Sequence, residues 1–314
     1  MPERTTEELS RQLRSDARLD RDYLALLLVA AIVASLGLEQ NSDATIIGAM
    51  VVAPLMLPIR TLGYGILRFD RSTLLPALRT LTLSVLLVIS IGALTGWIAQ
   101  RPEFGSEILS RTSVTFLGLA VAIAGGTLSG LSRALGTSRI TDALVGVGIS
   151  VSLVPPLCVT GIALAYGHRY DSLGAFILFL TNIVGIAVAC AAVFWATGHA
   201  SERWSRTLAG AAVFAVAIAA ISPALAQAAF QARELSAIEA FQVQHRQEYL
   251  PSAEAIESTV VLWNERPTKI ITTARTTVPP TKKQVTLLNA ALNAHLRRAY
   301  QLTLVVDPAI AIQP

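Results

Sequence analysis

The sequence predicts an all-α polytopic membrane bundle of about seven transmembrane helices, followed by a small C-terminal α/β domain. Hydrophobic residues make up 53% of the 314 residues and charged residues only 15%, whereas soluble domains carry about 25% charged residues. Apolar runs of about 20 residues recur along the chain, which is the length that a helix needs to cross a bilayer. Two of these runs contain prolines and glycines and lie about a hundred residues apart, which suggests an internal repeat.

The N-terminal residues 1–22 are polar and compatible with a short surface helix. The apolar run that begins at Tyr23 follows a region of mixed charge, unlike the positive start of a signal peptide, so we interpret it as the first membrane helix. We therefore expect a transmembrane domain over residues 23–230. Its predicted apolar segments are approximately 22–38, 44–67, 74–99, 114–131, 140–166, 172–198 and 206–230.

Arginine placement predicts the orientation of these segments. The N-terminal tail carries five arginines, the following loop "EQNSD" carries none, and basic residues then favour alternate loops on the N-terminal side. Loops rich in arginine and lysine stay in the cytoplasm. We therefore expect a multi-pass protein of the cell membrane with a cytoplasmic N-terminus. Seven crossings would place the C-terminal part outside the cytoplasm.

Residues 231–314 are more polar and predict a small soluble α/β domain. A helix continues from the last apolar segment, and "SAEAIESTVVLW" is interpreted as a second helix. The alternating stretches "TKIITTART" and "QLTLVVD" predict strands on either side of a helix that opens with a capping box, Thr281 and Gln284. A strand, a helix and a strand predict a parallel pair.

The two proline-containing segments predict an inverted repeat. Placing Pro54 over Pro155 also places Asp70 over Asp171, at a spacing of 101 residues. The repeats would cover about 23–99 and 114–198, with three crossings each, so the second would enter the membrane from the opposite side. Inverted repeats with broken helices are typical of secondary transporters, whose substrates bind at the breaks. The alternative is two unrelated proline-containing helices, which are common in membranes.

Polar residues near these segments are candidate contacts for a solute. Asn41 and Ser42 precede the first broken segment, and Thr181 and Asn182 lie inside the sixth. Buried amides either join helices or contact a ligand. Arg60 either extends to the cytoplasmic interface or faces an anionic substrate. No Asp or Glu lies at the centre of any segment, which argues against a proton relay.

Other residue types offer little chemistry. Cys158 and Cys190 lie in apolar runs as small buried side chains, and the four histidines lack metal-ligand spacing. We expect no enzyme activity, no metal and no cofactor, and the net charge of +4 does not imply nucleic acid. A stripe of small residues predicts close helix packing, within the bundle or between copies in a homo-oligomer. Its members are Gly118, Ala122, Gly126 and Gly130.

Two stretches, "LGLEQNSDATIIGAMVVAPLMLPI" and "VSLVPPLCVTGIALAYG" with "LGAFILFLTNIVGIAVA", resemble the signature regions of a bacterial and archaeal integral-membrane family, domain of unknown function 389. The resemblance covers roughly Leu24 to Gly198 and implies a polytopic membrane domain of unassigned activity. Members often carry a soluble domain before the membrane part, whereas here the larger soluble part follows it. The resemblance implies that the following positions matter: Asn41, Ser42, Gly48, Pro54, Pro155, Pro156, Thr181 and Asn182.

Two functions are compatible with these patterns. The first is a transporter or channel for ions or small solutes in the lipid bilayer, with the eight positions just named as candidate substrate-binding residues. The second is a membrane scaffold or sensor that acts through its C-terminal domain.

Overall fold

The computed structural model describes residues 6–100, 104–135, 153–200, 204–262, 267–276, 278–296 and 299–308. The chain divides into two compact units, Met1–Ala228 and Ala229–Pro314. Helices of the first unit are α1 (Thr6–Asp16), α2 (Arg21–Glu39), α3 (Asp43–Val52), α4 (Met56–Arg68), α5 (Arg71–Ala99), α6 (Ser106–Leu109), α7 (Phe116–Leu135), α8 (Val154–Ala165), α9 (Arg169–Ala196) and the first part of α10 (Trp204–Gln244).

Five of the described helices, α2, α5, α7, α9 and α10, are long and apolar enough to cross a membrane. The pair α3 and α4 would form a further span that is bent by 55°. This composition confirms that the chain contains membrane-type helices. Helix α8 is shorter, and the first half of the predicted segment 140–166 lies outside the described residues.

Helices α2, α5 and α8 run in the same direction. In each contacting pair, residues with higher numbers on one helix contact residues with higher numbers on the other. These contacts are Gly92 with Cys158 and Gly96 with Ile162 for α5 and α8, and Ala31 with Cys158 and Glu39 with Tyr166 for α2 and α8. We call the end of the bundle where α2 and α5 begin the α1 end. The end where α2 and α8 finish is the α6 end.

Helices α4, α7 and α9 form a second set, which runs the opposite way. Their contacts also advance together: Tyr64 with Phe194 and Arg68 with His199 for α4 and α9, and Gly126 with Ile186 and Gly130 with Val193 for α7 and α9. The two-residue connection Phe69–Asp70 joins α4 to α5, and Gly65 packs against Leu74 across that turn. Helices α4 and α5 are therefore antiparallel, and the two sets oppose each other.

The second unit contains a three-stranded sheet in the order β1-β2-β3. Its elements are the end of α10, α11 (Arg246–Tyr249), β1 (Ala253–Leu262), β2 (Thr268–Thr276), α12 (Lys282–Leu296) and β3 (Tyr300–Pro308). Strands β2 and β3 are parallel and α12 connects them, which confirms the predicted strand–helix–strand unit. Thr281 and Gln284 form the predicted capping box at the start of α12.

The helix predicted for "SAEAIESTVVLW" is wrong, because this stretch forms strand β1. Strand β1 pairs antiparallel with β2, with Val260 opposite Ile271 and Val261 opposite Ile270. The alanines and glutamates at its start favour a helix, but the β-branched residues in its second half favour a strand. Pairing with β2 therefore overrides the local helix propensity.

Gly161 offers a test of the contact between α5 and α8. A methyl group at this position would collide with the carbonyl oxygen of Ile89, so Gly161→Ala should force the two helices apart and lower the melting temperature in detergent. Such overpacking costs about 1–3 kcal/mol. Gly48→Ala is the matched control, because no heavy atom lies within 4 Å of a methyl group there. Equal melting temperatures for the two variants would contradict the close contact.

Candidate functional site

The first break lies between α3 and α4. Helix α3 ends at Val52, the backbone of Ala53 is extended, and Pro54 follows at the bend. Pro54 cannot donate a backbone hydrogen bond, but its carbonyl accepts one from the amide of Leu57 at 3.1 Å. Helix α4 thus starts within the apolar bundle, and its first turn contains Pro58, which has no amide hydrogen that would need a partner there.

The second described half-helix is α8, which begins with Val154, Pro155 and Pro156. Proline is favoured in the first turn of a helix, because its missing N–H would have no intrahelical partner there. The ten residues from Val154 to Ala163 are all buried. The start of α8 is therefore enclosed by protein. Residues 136–152 precede it and lie outside the described range.

Asn41 and Ser42 shape the loop at the α6 end. Asn41 has a left-handed backbone, with φ of 55°, and its side-chain oxygen accepts hydrogen bonds from the amide of Glu107 at 2.9 Å and the hydroxyl of Ser106 at 3.1 Å. Ser42 caps α3 by accepting a hydrogen bond from the amide of Thr45. Both residues therefore fix local structure at this end.

Thr181 and Asn182 are buried in the middle of α9. The Thr181 hydroxyl donates to the carbonyl of Ile177 in its own helix, at 2.8 Å. Asn182 lies thirteen residues beyond the start of α9, which is at the α6 end, so it lies about 20 Å along the helix axis from that end. The structure thus separates Asn182 from Asn41 and Ser42. Gly48 lies on an exposed face of α3.

The small-residue stripe of α7 packs largely within the chain. Methyl groups at Gly126 and Gly130 would lie 2.6 Å from the carbonyl oxygen of Ile186 and 2.9 Å from the side chain of Val193, both at α9. Ala122 is fully buried, and Gly118 is half-buried. Most of the stripe therefore brings α7 close to α9. A homo-oligomer through this face stays a prediction.

A buried charge cluster joins α1, α4 and α7. The Arg60 side chain is only 1% exposed, and its Nη2 donates to Asp16 Oδ2 at 2.7 Å. Arg133, near the end of α7, also donates to Asp16, with Nε 3.1 Å from Oδ2. Two guanidinium groups thus converge on one carboxylate. Arg60 lies inside the protein rather than extending to an exposed interface.

Helix α1 belongs to the bundle rather than to an isolated surface segment. Leu9 and Leu13 are fully buried. The Leu13 carbonyl accepts a hydrogen bond from the Thr61 hydroxyl at 2.9 Å, and Arg14 pairs with Asp70 at 3.0 Å. Burial raises the pKa of Asp70, but hydrogen bonds from Ser72 and Thr73 and the charge of Arg14 together hold it below its usual value. Asp70 therefore remains charged and holds α1.

Asp16 and Arg133 are not among the residues that the sequence predicts for a site. One signal was available, because Leu9, Leu13 and Ala17 recur every four residues and mark an apolar face on α1. An apolar stripe on a polar N-terminal segment predicts that the segment packs against another apolar surface, but it does not identify that surface. The pairing of Asp16 with Arg60 and Arg133 depends on tertiary structure.

The comparison with known families concerns the segment that carries both half-helices. Residues 50–188 match the model described as "Domain of unknown function (DUF389)". This segment is similar to the DUF389 family. It contains α4, α5, α7, α8 and most of α9, and the match confirms the resemblance seen in the sequence.

This chain is also similar to an uncharacterized protein of Methanocaldococcus jannaschii, to which it is 31% identical over 204 residues. The alignment covers 65% of this chain and 63% of the relative, so the chain spans less than two thirds of that protein. This similarity carries no activity to the chain.

A second polar contact lies at the α6 end of the membrane unit. Glu39 is 6% exposed and accepts hydrogen bonds from the Tyr166 hydroxyl at 3.0 and 3.1 Å. The ring of Phe104 lies beside both Tyr166 and His168, at centroid distances of 5.6 and 4.6 Å. Each end of the bundle therefore has a partly buried acidic side chain, paired with arginines at one end and with a tyrosine at the other.

Asn41 provides a test of the structural role of the α6 end. Asn41→Ala removes the oxygen that accepts from Glu107 and leaves alanine at a positive φ, so it should destabilise the protein by about 1–2 kcal/mol. Asn41→Asp keeps the acceptor and should be close to wild type. Thermal unfolding and limited proteolysis of residues 104–112 report the effect. Equal proteolysis of all three proteins would contradict a holding role for Asn41.

Proposed function

We propose that this protein is a transporter or channel for ions or small solutes, with its pathway between two inverted repeats. The observation that supports this most strongly is a pair of matched contacts between the repeats. A methyl group at Gly63 of α4 would lie 2.7 Å from the carbonyl oxygen of Ala187 of α9, and Gly161 of α8 meets the carbonyl oxygen of Ile89 of α5. In each contact, the half-helix of one repeat packs on the long helix of the other.

These contacts occupy equivalent positions. Gly63 and Gly161 are 98 positions apart, and so are Ile89 and Ala187. The same shift relates the starts of α4 and α8, at residues 56 and 154, and of α5 and α9, at residues 71 and 169. The same shift of 98 positions relates Tyr64 to Ile162 and Gly96 to Phe194. The Tyr64 ring contacts the Phe194 ring, and Ile162 contacts Gly96. An unrelated pair of kinked helices would have no reason to share this register.

The structure favours a spacing of 98 residues over the 101 obtained by placing Pro54 over Pro155. At the shorter spacing, eight positions in these segments carry the same residue in both repeats. They are Leu55 and Leu153, Pro58 and Pro156, Gly63 and Gly161, Arg71 and Arg169, Leu75 and Leu173, Ala77 and Ala175, Ala93 and Ala191, and Trp97 and Trp195. Pro58, rather than Pro54, is then the counterpart of a proline in the second repeat. The half-helices therefore correspond in more than the presence of a break.

The opposite directions of the two helix sets support the inversion. In the proposed repeats, α2 corresponds to α7, α4 to α8 and α5 to α9. Each helix and its counterpart lie in opposite sets, so the two members of every pair run in opposite directions. Repeats that are related in this way and contain broken helices are the architecture of many secondary transporters. Their halves exchange roles as the site opens alternately to the two sides of the membrane.

A pathway at the breaks also explains why the chain contains them. An unsatisfied backbone group in hydrocarbon costs several kcal/mol, so a break is tolerated only where protein, water or a ligand supplies partners. The N-termini of α4 and α8 carry partial positive charge from their helix dipoles. Asn182 and the hydroxyl of Thr181 lie at comparable depth in α9. We therefore propose these groups, with Pro54, Pro155 and Pro156, as the solute site.

The arginine distribution supports a topology in which the N-terminal side of the membrane unit faces the cytoplasm. We propose a multi-pass protein of the cell membrane whose α1 end is cytoplasmic, because the N-terminal arginines, Arg68, Arg71 and Arg133 all belong to that end. The C-terminal unit would then lie outside the cytoplasm after an odd number of crossings.

Flux into liposomes tests the proposal. Purified wild type should move at least one cation, anion or small metabolite faster than empty liposomes do. Pro54→Ala should reduce this flux, because it restores a backbone donor and lets α3 continue towards α4. Asn182→Leu should reduce it by removing a polar contact in the pathway.

The matched control is Pro76→Ala, because Pro76 lies on an exposed face inside the continuous helix α5. This variant should keep wild-type flux. Wild-type flux no higher than that of empty liposomes, across all three solute classes, would contradict the proposed function.

A second candidate function is a scaffold or sensor that acts through the C-terminal unit. The observation that favours it is the length of α10, whose 41 residues include both apolar membrane-type turns and part of the C-terminal core. Ile238 and Phe241 of α10 are buried in that core, and Gln242 donates to the Thr272 hydroxyl of β2 at 2.9 Å. A ligand bound by the sheet could therefore act on α10 directly.

Removal of residues 231–314 distinguishes the two functions. A transporter whose pathway lies between the repeats should retain flux in liposomes, because the matched contacts all lie before residue 201. A protein that works through its C-terminal unit should lose its activity while the membrane part still folds, as judged by its helix content and monodisperse elution. Flux that the folded truncated protein retains would favour the transporter, whereas a wild type without flux would favour the non-transporting scaffold or sensor.

A further inference from the structure

We propose that Arg60 and Arg133 form a binding site for a small oxyanion, a carboxylate or phosphate group, and that Asp16 of α1 occupies this site as a tethered substitute. The inference rests on the proposed function, since it names the substrate class of a pathway between the repeats. It places an anion site at the α1 end of that pathway.

The geometry is that of a two-cation clamp on one carboxylate. Arg60 comes from the half-helix α4 of the first repeat, and Arg133 comes from α7 of the second. Both donate to Asp16, through Arg60 Nη2 at 2.7 Å and Arg133 Nε at 3.1 Å. Guanidinium groups match the oxygens of carboxylate and phosphate, and their hydrogen bonds to these ions are about twice as strong as neutral ones. The clamp therefore selects an oxyanion.

The fold itself does not require an arginine at this position. The residue that corresponds to Arg60 in the second repeat, 98 positions later, is Cys158. Cys158 is fully buried and packs its backbone against Gly92, so the equivalent place on α8 is filled by a small apolar side chain. A buried arginine in a membrane bundle is costly and marks functional sites. The difference between the repeats thus points to a role for Arg60 beyond packing.

The carboxylate is supplied by a part of the chain that can leave. Asp16 is the last residue of α1, which precedes both repeats. Helix α1 is held by Leu9 and Leu13, by hydrogen bonds from Thr61 and Thr80 to carbonyls of its C-terminal turn, and by the Arg14–Asp70 pair. Displacement of α1 would break these contacts and leave the contacts between the repeats intact. A free oxyanion could then take the place of the Asp16 carboxylate.

The test uses the full chain in detergent at constant ionic strength, with inorganic phosphate and acetate as probes and chloride as the reference anion. Asp16→Asn should melt at a lower temperature in chloride, because two guanidinium groups lose their shared carboxylate. Phosphate or acetate should restore the melting temperature of Asp16→Asn. The anion concentration that gives half of this effect should be at least about tenfold lower than any concentration that changes the melting temperature of wild type, because the variant lacks the competing carboxylate. Asp22→Asn, an exposed charge change on α2, should show neither effect.

The double variant Asp16→Asn with Arg133→Gln should lose the restoration by anions. Equal responses of this variant and of Asp16→Asn would overturn the proposal, as would restoration by chloride. The phosphate group of a lipid has the same chemistry, so phosphatidylglycerol in mixed micelles forms a separate arm. Restoration by the lipid alone would overturn a site for a small soluble anion.

A second measurement avoids dependence on the stability of the Asp16 variant. Phosphate should accelerate tryptic cleavage at Arg14 and Arg18 in wild type, because it releases α1, and should not do so in Arg133→Lys. Unchanged cleavage in wild type at all phosphate concentrations would overturn the proposal. Anion binding without flux would refute the proposed transport and leave this site standing, whereas flux of cations or neutral solutes without any anion response would refute the site alone.

Discussion

The close approach of helix backbones at glycines is the constraint on which the membrane unit depends. Lipid tails are as apolar as leucine side chains, so helices in a bilayer associate through close packing rather than through the hydrophobic effect. Gly63 lets α4 pack against the carbonyl of Ala187 in α9, and Gly161 lets α8 pack against the carbonyl of Ile89 in α5. These contacts hold each half-helix against a long helix. The N-termini of the half-helices therefore stay within the bundle, where a continuous helix would have no free ends.

Hydroxyl groups connect neighbouring helices of the membrane unit. The Thr61 hydroxyl donates to the carbonyls of Leu57 and Leu13, both at 2.9 Å, so one side chain connects α4 with α1. The Ser172 hydroxyl of α9 donates to the carbonyl of Thr160 in α8 at 2.9 Å. Serine and threonine therefore supply hydrogen bonds between helices of this unit.

Composition and periodicity were sufficient to predict the helices but not their register. Apolar runs fixed the course of α2, α5, α7, α9 and α10, because length and hydropathy alone determine a membrane helix. The spacing of 101 residues stays a prediction, because alignment on Pro54 and Pro155 gives weight to helix breakers, whereas the proposed spacing of 98 aligns the contacts of Gly63 and Gly161. Strand β1 was missed because the alanines and glutamates at its start favour a helix, and pairing with β2 overrides that preference. Asp16 and Arg133 could not be joined to Arg60 from the sequence, since these three residues are far apart along the chain.

The two proposed repeats differ in charge at one end of the bundle. Arg60 and Cys158, which the proposed spacing of 98 residues aligns, place a cation in one repeat and a thiol in the other. The segments that precede the repeats also differ, since α1 has eleven residues and carries Asp16 into the bundle, whereas α6 has four. A symmetric pathway would bind an anion equally well at both ends. The buried guanidinium of Arg60 and the carboxylate of Asp16 both lie at the α1 end. An anion that crossed the bundle would therefore meet the arginine that binds it and the carboxylate that competes with it on the same side. The affinity of that side would then depend on whether α1 is in place, so the exposure of the site and the position of the N-terminal helix would be coupled.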